Sequence, residues 1–146
     1  MKPILLALST FRQSERAVDL AIERAKEGRR LVVVYVADVN LARYLIGMDI
    51  PPEVKEKCEE ELLKEHRREG EKKVELIARR AREQGVEATT RVDIGRFALK
   101  VLDAARENPP EVIVTTRSKR PKWVKRLFGS PVDYLIQHAG CPVVEA

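Results

Sequence analysis

Three short runs, Ile4 to Leu8, Leu31 to Val36 and Val112 to Val114, consist almost wholly of Val, Ile, Leu and Ala, and each is bounded by polar or turn residues. Unbroken apolar character over so few residues predicts strands covered on both faces, because a half-exposed strand would alternate. Val86 to Val92 does alternate: Val86, Ala88, Thr90 and Val92 are interleaved with Glu87, Thr89 and Arg91. It is therefore predicted to lie at a sheet edge. Val143-Val144, after the helix-stopping pair Cys141-Pro142, reads as a short final strand.

Helical stretches separate these strands. Ser14 to Glu27 places Ala17, Leu20, Ala21 and Arg24 along one line, with Thr10 and Ser14 as alternative N-caps and Gly28 as the stop. Pro52 to Gln84 is long and charged, and Gly85 ends it. Its middle, Lys64 to Lys73, offers almost no apolar side chain and contains Gly70, so it is predicted to overhang solvent or to kink, with His66 facing solvent. Phe97 to Arg106 and Val132 to His138 complete the set, the last carrying Val132, Leu135 and Ile136. Strict β-α alternation gives a parallel sheet with right-handed crossovers and helices on both faces. The alternating third strand belongs at an edge and strands 1, 2 and 4 inside, and the order 3-2-1-4-5 satisfies both requirements. The expectation is one five-stranded α/β domain over residues 1–146.

In that order the connections change direction between strands 1 and 4, and ligands of such sheets bind outside the carboxyl ends there. Ser9, Thr10 and the stretch Thr116 to Ser130 are thus predicted to surround one crevice. Six cations, Arg117, Lys119, Arg120, Lys122, Lys125 and Arg126, fall within ten residues of that stretch with no acid among them. Without those six, the net charge of +5 becomes −1, so the positive charge of the chain is local. Such a cluster makes a field that attracts anions. The single tryptophan, Trp123, sits inside it; one aromatic among cations is thin support for base stacking, and nucleic-acid binding is not the expectation.

Other chemistry is poorly represented. Cys58, Cys141, His66 and His138 lack the spacing of a compact zinc site, and two distant cysteines make no disulfide framework. There is no nucleophile elbow and no His–carboxylate pair at useful spacing, so catalysis is not expected. No apolar run approaches the ~20 residues that span a bilayer, and Met1 to Leu6 reads as a first strand, which points to a cytoplasmic protein. The connection from Asp38 to Pro51 is rich in apolar residues, among them Leu41, Tyr44, Leu45, Ile46 and Met48. Packing onto the domain accounts for it more simply than a lid or partner surface.

Particular residues carry a family resemblance. Ile4 to Thr10 with Ser14-Glu15-Arg16-Ala17, then Asp93-Ile94-Gly95-Arg96-Phe97-Ala98, and above all Arg126-Leu127-Phe128-Gly129-Ser130 followed by His138-Ala139-Gly140-Cys141-Pro142-Val143-Val144, resemble the universal stress protein family over essentially the whole chain. The resemblance implies the adenine-nucleotide α-hydrolase-like fold and a homodimer paired through the last strand, here Pro142 to Ala146. ATP-binding members are similar in carrying Gly-x-x-Gly-x9-Gly-Ser/Thr after strand 4, where bare backbone amides cradle phosphates. Counting back from Gly129-Ser130, the first two glycine positions fall on Thr116 and Lys119. The acid often found at the end of strand 1 is Ser9, and the valine whose backbone meets adenine corresponds to Val36.

The residues expected to line any ligand site are therefore Ser9, Thr10, Val36, Thr116, Arg117, Lys119, Gly129 and Ser130. The expected function is that of a small regulatory binding protein that does not hold ATP in the usual family way. One alternative is an ATP- or AMP-binding stress sensor with a modified phosphate loop. Another is a binder of polyanions or nucleic acid through Arg117 to Arg126.

Overall fold

The computed structural model describes residues 1–10, 12–39, 51–117 and 131–146. Among these, five strands and four helices alternate along the chain: β1 (Ile4–Ser9), α1 (Glu15–Ala25), β2 (Leu31–Asp38), α2 (Pro52–Glu83), β3 (Ala88–Gly95), α3 (Phe97–Glu107), β4 (Val112–Thr115), α4 (Pro131–His138) and β5 (Val143–Glu145). The sheet is parallel with the order β3-β2-β1-β4-β5, as the strand patterns predict. Every residue of β1, β2 and β4 is buried, whereas β3 is largely solvated and β5 only partly covered.

Period-2 alternation splits the core into two. Leu6 and Leu8 of β1 with Val33 and Tyr35 of β2 pack beneath α1 and α2. Leu5 and Ala7 with Val34 and Val36 pack beneath α3 and α4. The longest inward side chains are thus shared between two layers of helices, and neither face of the sheet could be left wet.

Several local expectations are corrected. The N-cap of α1 is Ser14, whose Oγ accepts from the Ala17 amide at 3.4 Å; Thr10 turns its hydroxyl elsewhere. The buried stripe of α1 is Ala17, Val18, Ala21, Ile22 and Ala25, and Arg24 points to solvent. Strand β3 begins two residues later than expected and runs on to Gly95, with Thr90 exposed. Ile136 of α4 is 56% exposed, because only Val132 and Leu135 of that helix reach the core.

The largest correction concerns α2. It runs unbroken through Gly70 for 32 residues, and His66 is buried with only 5% exposure. His66, Gly70, Val74, Ile77, Ala78 and Ala81 form one continuous buried stripe. The spacing of four, four and three is helical, but its first two members are not apolar, which is why a count of apolar side chains misses them. Gly70 is there for space: a Cβ at this position would lie 2.3 Å from Cδ1 of the fully buried Tyr35 ring. At the other end of the packed half, Arg80 reaches across to Glu15 (2.8 Å) and Asp19 of α1. That exposed clasp adds little beside the stripe itself.

Substituting Gly70→Ala therefore lowers stability. Overpacking a core costs ~1–3 kcal/mol, with a fully buried ring in the way placing this case toward the upper end, while Gly to Ala in an open helix gains about 1 kcal/mol, so a net loss of up to about 2 kcal/mol is expected from the shift in the urea midpoint. A midpoint that stays put or rises contradicts the close approach of Tyr35.

Candidate functional site

The connections change direction between β1 and β4, and the carboxyl ends of these strands meet there. β1 ends in a tight turn. Ser9 and Arg12 exchange both backbone hydrogen bonds, the Ser9 amide donating to the Arg12 carbonyl at 3.2 Å and the Arg12 amide to the Ser9 carbonyl at 3.1 Å. Within the turn, the Gln13 side-chain amide donates to the Thr10 carbonyl at 3.1 Å. The Thr10 hydroxyl pairs with the Tyr35 hydroxyl at 3.0 Å, which ties the turn to β2 and, through the Tyr35 ring, to α2.

β4 is stitched to β1 by Thr115, whose Oγ1 donates to the Ala7 carbonyl at 2.9 Å. The next residue, Thr116, is 1% exposed, and its carbonyl accepts from Nη1 of Arg12 at 2.8 Å. Arg12 is itself only 4% exposed. Its guanidinium lies over the ring of Phe97, 5.1 Å from the centroid, at the start of α3. A desolvated cation on an aromatic face is worth about 2 kcal/mol, and the charge-assisted bond to Thr116 adds to it. One side chain therefore spans the mouth of the crevice, from the first turn of α3 to the end of β4.

Ser9, Val36 and Thr116 stand at or just beyond the carboxyl ends of β1, β2 and β4, and Thr10 follows Ser9 but turns its hydroxyl to Tyr35 on the α1/α2 face. Ser9 pairs in register with Val36, and both continue the face that carries Ala7 and Phe97. Two hydroxyls in this group, Ser9 Oγ and Thr116 Oγ1, are buried without a hydrogen-bond partner. Arg117 is exposed at the rim. Lys119, Gly129 and Ser130 lie outside the described residues, as do Trp123, the remaining cations of the basic run and the apolar stretch 40–50.

Two residues that sequence reasoning did not single out complete the site. Arg12 was one cation in a chain where 35% of residues are charged, and nothing in its spacing announced burial. Asp38, 6% exposed, closes β2 opposite Gly95 and puts a buried acid at the same edge of the sheet. The acid at this edge thus stands on the second strand, with Ser9 on the first. Elsewhere, His138 is exposed and stacks on Tyr134 at 4.3 Å between centroids. Burial pushes the Cys141 thiol up from its ordinary value, which leaves it the less reactive of two free cysteines, Cys58 being exposed. Among the described residues, no helix is long and apolar enough to cross a membrane.

A parallel five-stranded sheet in this order, with the connections changing direction between strands 1 and 4, defines a doubly wound α/β fold. The profile of the Universal stress protein family matches residues 1–144, and the chain belongs to that family. No curated protein matches it. Among solved structures, the universal stress protein UspA from Lactobacillus plantarum is similar at 18% identity, with 99% of this chain and 97% of that one covered and a TM-score of 0.73. A universal stress family protein from Arabidopsis thaliana with AMP bound is 15% identical over 98% and 90% of the two chains, at a TM-score of 0.57. A universal stress protein in complex with cAMP is 14% identical over 99% and 96%, at a TM-score of 0.58. At these identities the likeness is one of fold.

Tyr35 provides a test of the packing around the crevice. Burial raises its pKa above the ordinary value, partly opposed by the bond with Thr10 and reinforced by the charge of Glu69. Above the ordinary tyrosine value of about 10, the unfolded chain gives up this proton and the folded chain keeps it. The contribution is complete below that pH and is lost as pH rises through the folded pKa. Tyr35→Phe should cost about 1 kcal/mol at neutral pH, and its stability should fall less steeply than the wild type's as pH rises above about 10. Parallel curves for the two proteins would show that the phenol is not held in its neutral form.

Proposed function

We propose that this chain is a non-catalytic regulatory binding protein of the universal stress class that does not hold ATP in the manner of the family's nucleotide-binding members. The observation that carries this reading is the position of Arg12. Ligands of doubly wound sheets enter at the switch point, and there a buried guanidinium already bonds to the Thr116 carbonyl and stacks on Phe97. Behind it, Thr116 puts a β-branched side chain where bare backbone would have to approach a phosphate. Phosphate cradles depend on that bare approach.

The protein would act as a cytoplasmic homodimer through β5, whose outer edge has no strand partner among the described residues. A three-residue edge strand is short, so flanking side chains, including the exposed Ile136, would have to contribute area.

A second reading, a nucleotide sensor with a modified phosphate loop, is favoured by the two buried hydroxyls of Ser9 and Thr116 that lack partners, together with the AMP and cAMP held by similar proteins. In that reading Ser9, Thr10, Val36, Thr116 and Arg117, with Lys119, Gly129 and Ser130, would line the ligand.

Mass spectrometry of the purified, denatured protein decides between the two. No co-purified nucleotide is expected, and calorimetric titration with ATP should give a Kd weaker than about 1 mM. Stoichiometric ATP or AMP released on denaturation would establish the sensor instead. An oligonucleotide titration at two salt concentrations should likewise be silent; binding that weakens steeply with salt would assign the basic run to polyanions.

A further inference from the structure

Helix α2 is only half committed to the core. Its buried stripe begins at His66, and from Pro52 to Glu65 no residue is buried. One flank of this outer half is a shallow apolar groove lined by Val54, Lys57, Cys58, Glu61, Leu62 and Glu65. Val54, Cys58 and Leu62, spaced by four, form its apolar row; Val54 is 50% exposed and Cys58 is exposed. Three such residues do not name their partner. The charges around them do.

We propose that this flank of α2 binds a second copy of the chain, antiparallel about a two-fold axis at Cys58. Val54 then meets the partner's Leu62, and Leu62 the partner's Val54. At about 3.6 residues per turn, Lys57 and Glu61 lie on one side of the apolar row and Lys55 and Glu59 on the other. An antiparallel two-fold sets each side against itself with its direction reversed. Lys57 comes within about 3 Å in axial height of the partner's Glu61, and Lys55 of the partner's Glu59. A parallel pair would instead set Lys57 beside the partner's Lys55 and Glu61 beside the partner's Glu59, which is repulsive. At the ends of the antiparallel pair, Glu65 falls level with the partner's Pro51, where α2 starts without a side-chain cap. The open amides and the helix dipole favour a carboxylate there.

This contact is separate from the pairing proposed through β5. α2 packs over β2 and β3, whereas β5 lies beyond β4 at the opposite edge of the sheet. A protomer using both contacts joins more than two chains.

Charge reversal and rescue test the pairing. Association is followed by sedimentation equilibrium at low salt, and a short bismaleimide reports the axis by joining Cys58 to the partner's Cys58 in a Cys141→Ser background. Lys57→Glu and Glu61→Lys each put four like charges on one side of the contact, and each should weaken association at least about tenfold. The double variant, Lys57→Glu with Glu61→Lys, restores the alternation and should return to within about threefold of the wild type. Circular dichroism checks that α2 is retained in each. The step observed is dimer to tetramer where β5 also pairs and monomer to dimer where it does not, so failure of one contact leaves the other legible. Association that ignores the single reversals, or that the double variant does not rescue, overturns the proposal. So does a Cys58 that cross-links no better than the exposed cysteine of Arg24→Cys in a chain carrying Cys58→Ser and Cys141→Ser.

Discussion

β1 is hydrogen-bonded along both edges, to β2 through six register pairs and to β4 through four, and both of its faces lie under helices. Neither its register nor its facing can slip, since a shift of one residue would turn Leu6 and Leu8 toward the other core. Where this strand stops is therefore fixed by the whole domain. The crevice begins at that point, and Ser9, its last residue, delivers the turn that carries Thr10 and Arg12.

The turn itself is organised by the need to satisfy buried polar groups. A guanidinium with 4% exposure has to be matched, and the Thr116 carbonyl and the Phe97 face supply part of that match from two other elements. Thr10 and Tyr35 satisfy each other, and Thr115 satisfies Ala7. The hydroxyls of Ser9 and Thr116 are the exceptions. Polar order is thus concentrated at the carboxyl ends of the central strands, while the remainder of the sheet interior is apolar.

The fold was legible because continuous apolar runs and an alternating one differ in kind, and the order 3-2-1-4-5 satisfies the requirement that the alternating strand lie at an edge and the continuous ones inside. The predicted crevice followed from the order, and Ser9 and Val36, both assigned to it, are register partners at the ends of β1 and β2. Burial of His66 and Gly70 was not legible, because helical stripes are read from apolar side chains and these two fill the stripe with a ring and an absence. Arg12 escaped for a similar reason. In a chain so rich in charge, a single cation carries no pattern, and only three-dimensional placement distinguishes it from the solvated arginines of α2. Asp38 lay two residues beyond the expected strand limit at Val36, and strand ends are where assignments shift by a residue or two.

The central claim is that a desolvated Arg12 guanidinium lies on Phe97 at the end of β1. The Nε–H resonance of Arg12 in proton–nitrogen correlation spectra, assigned by mutation and compared with a Phe97→Leu variant, reports on it directly. The predicted signal is displaced upfield by the ring, protected from exchange with water, and returned toward its ordinary position when the ring is removed. An Arg12 signal at the ordinary position in the wild type, exchanging as fast as that of the exposed Arg117, would contradict the claim.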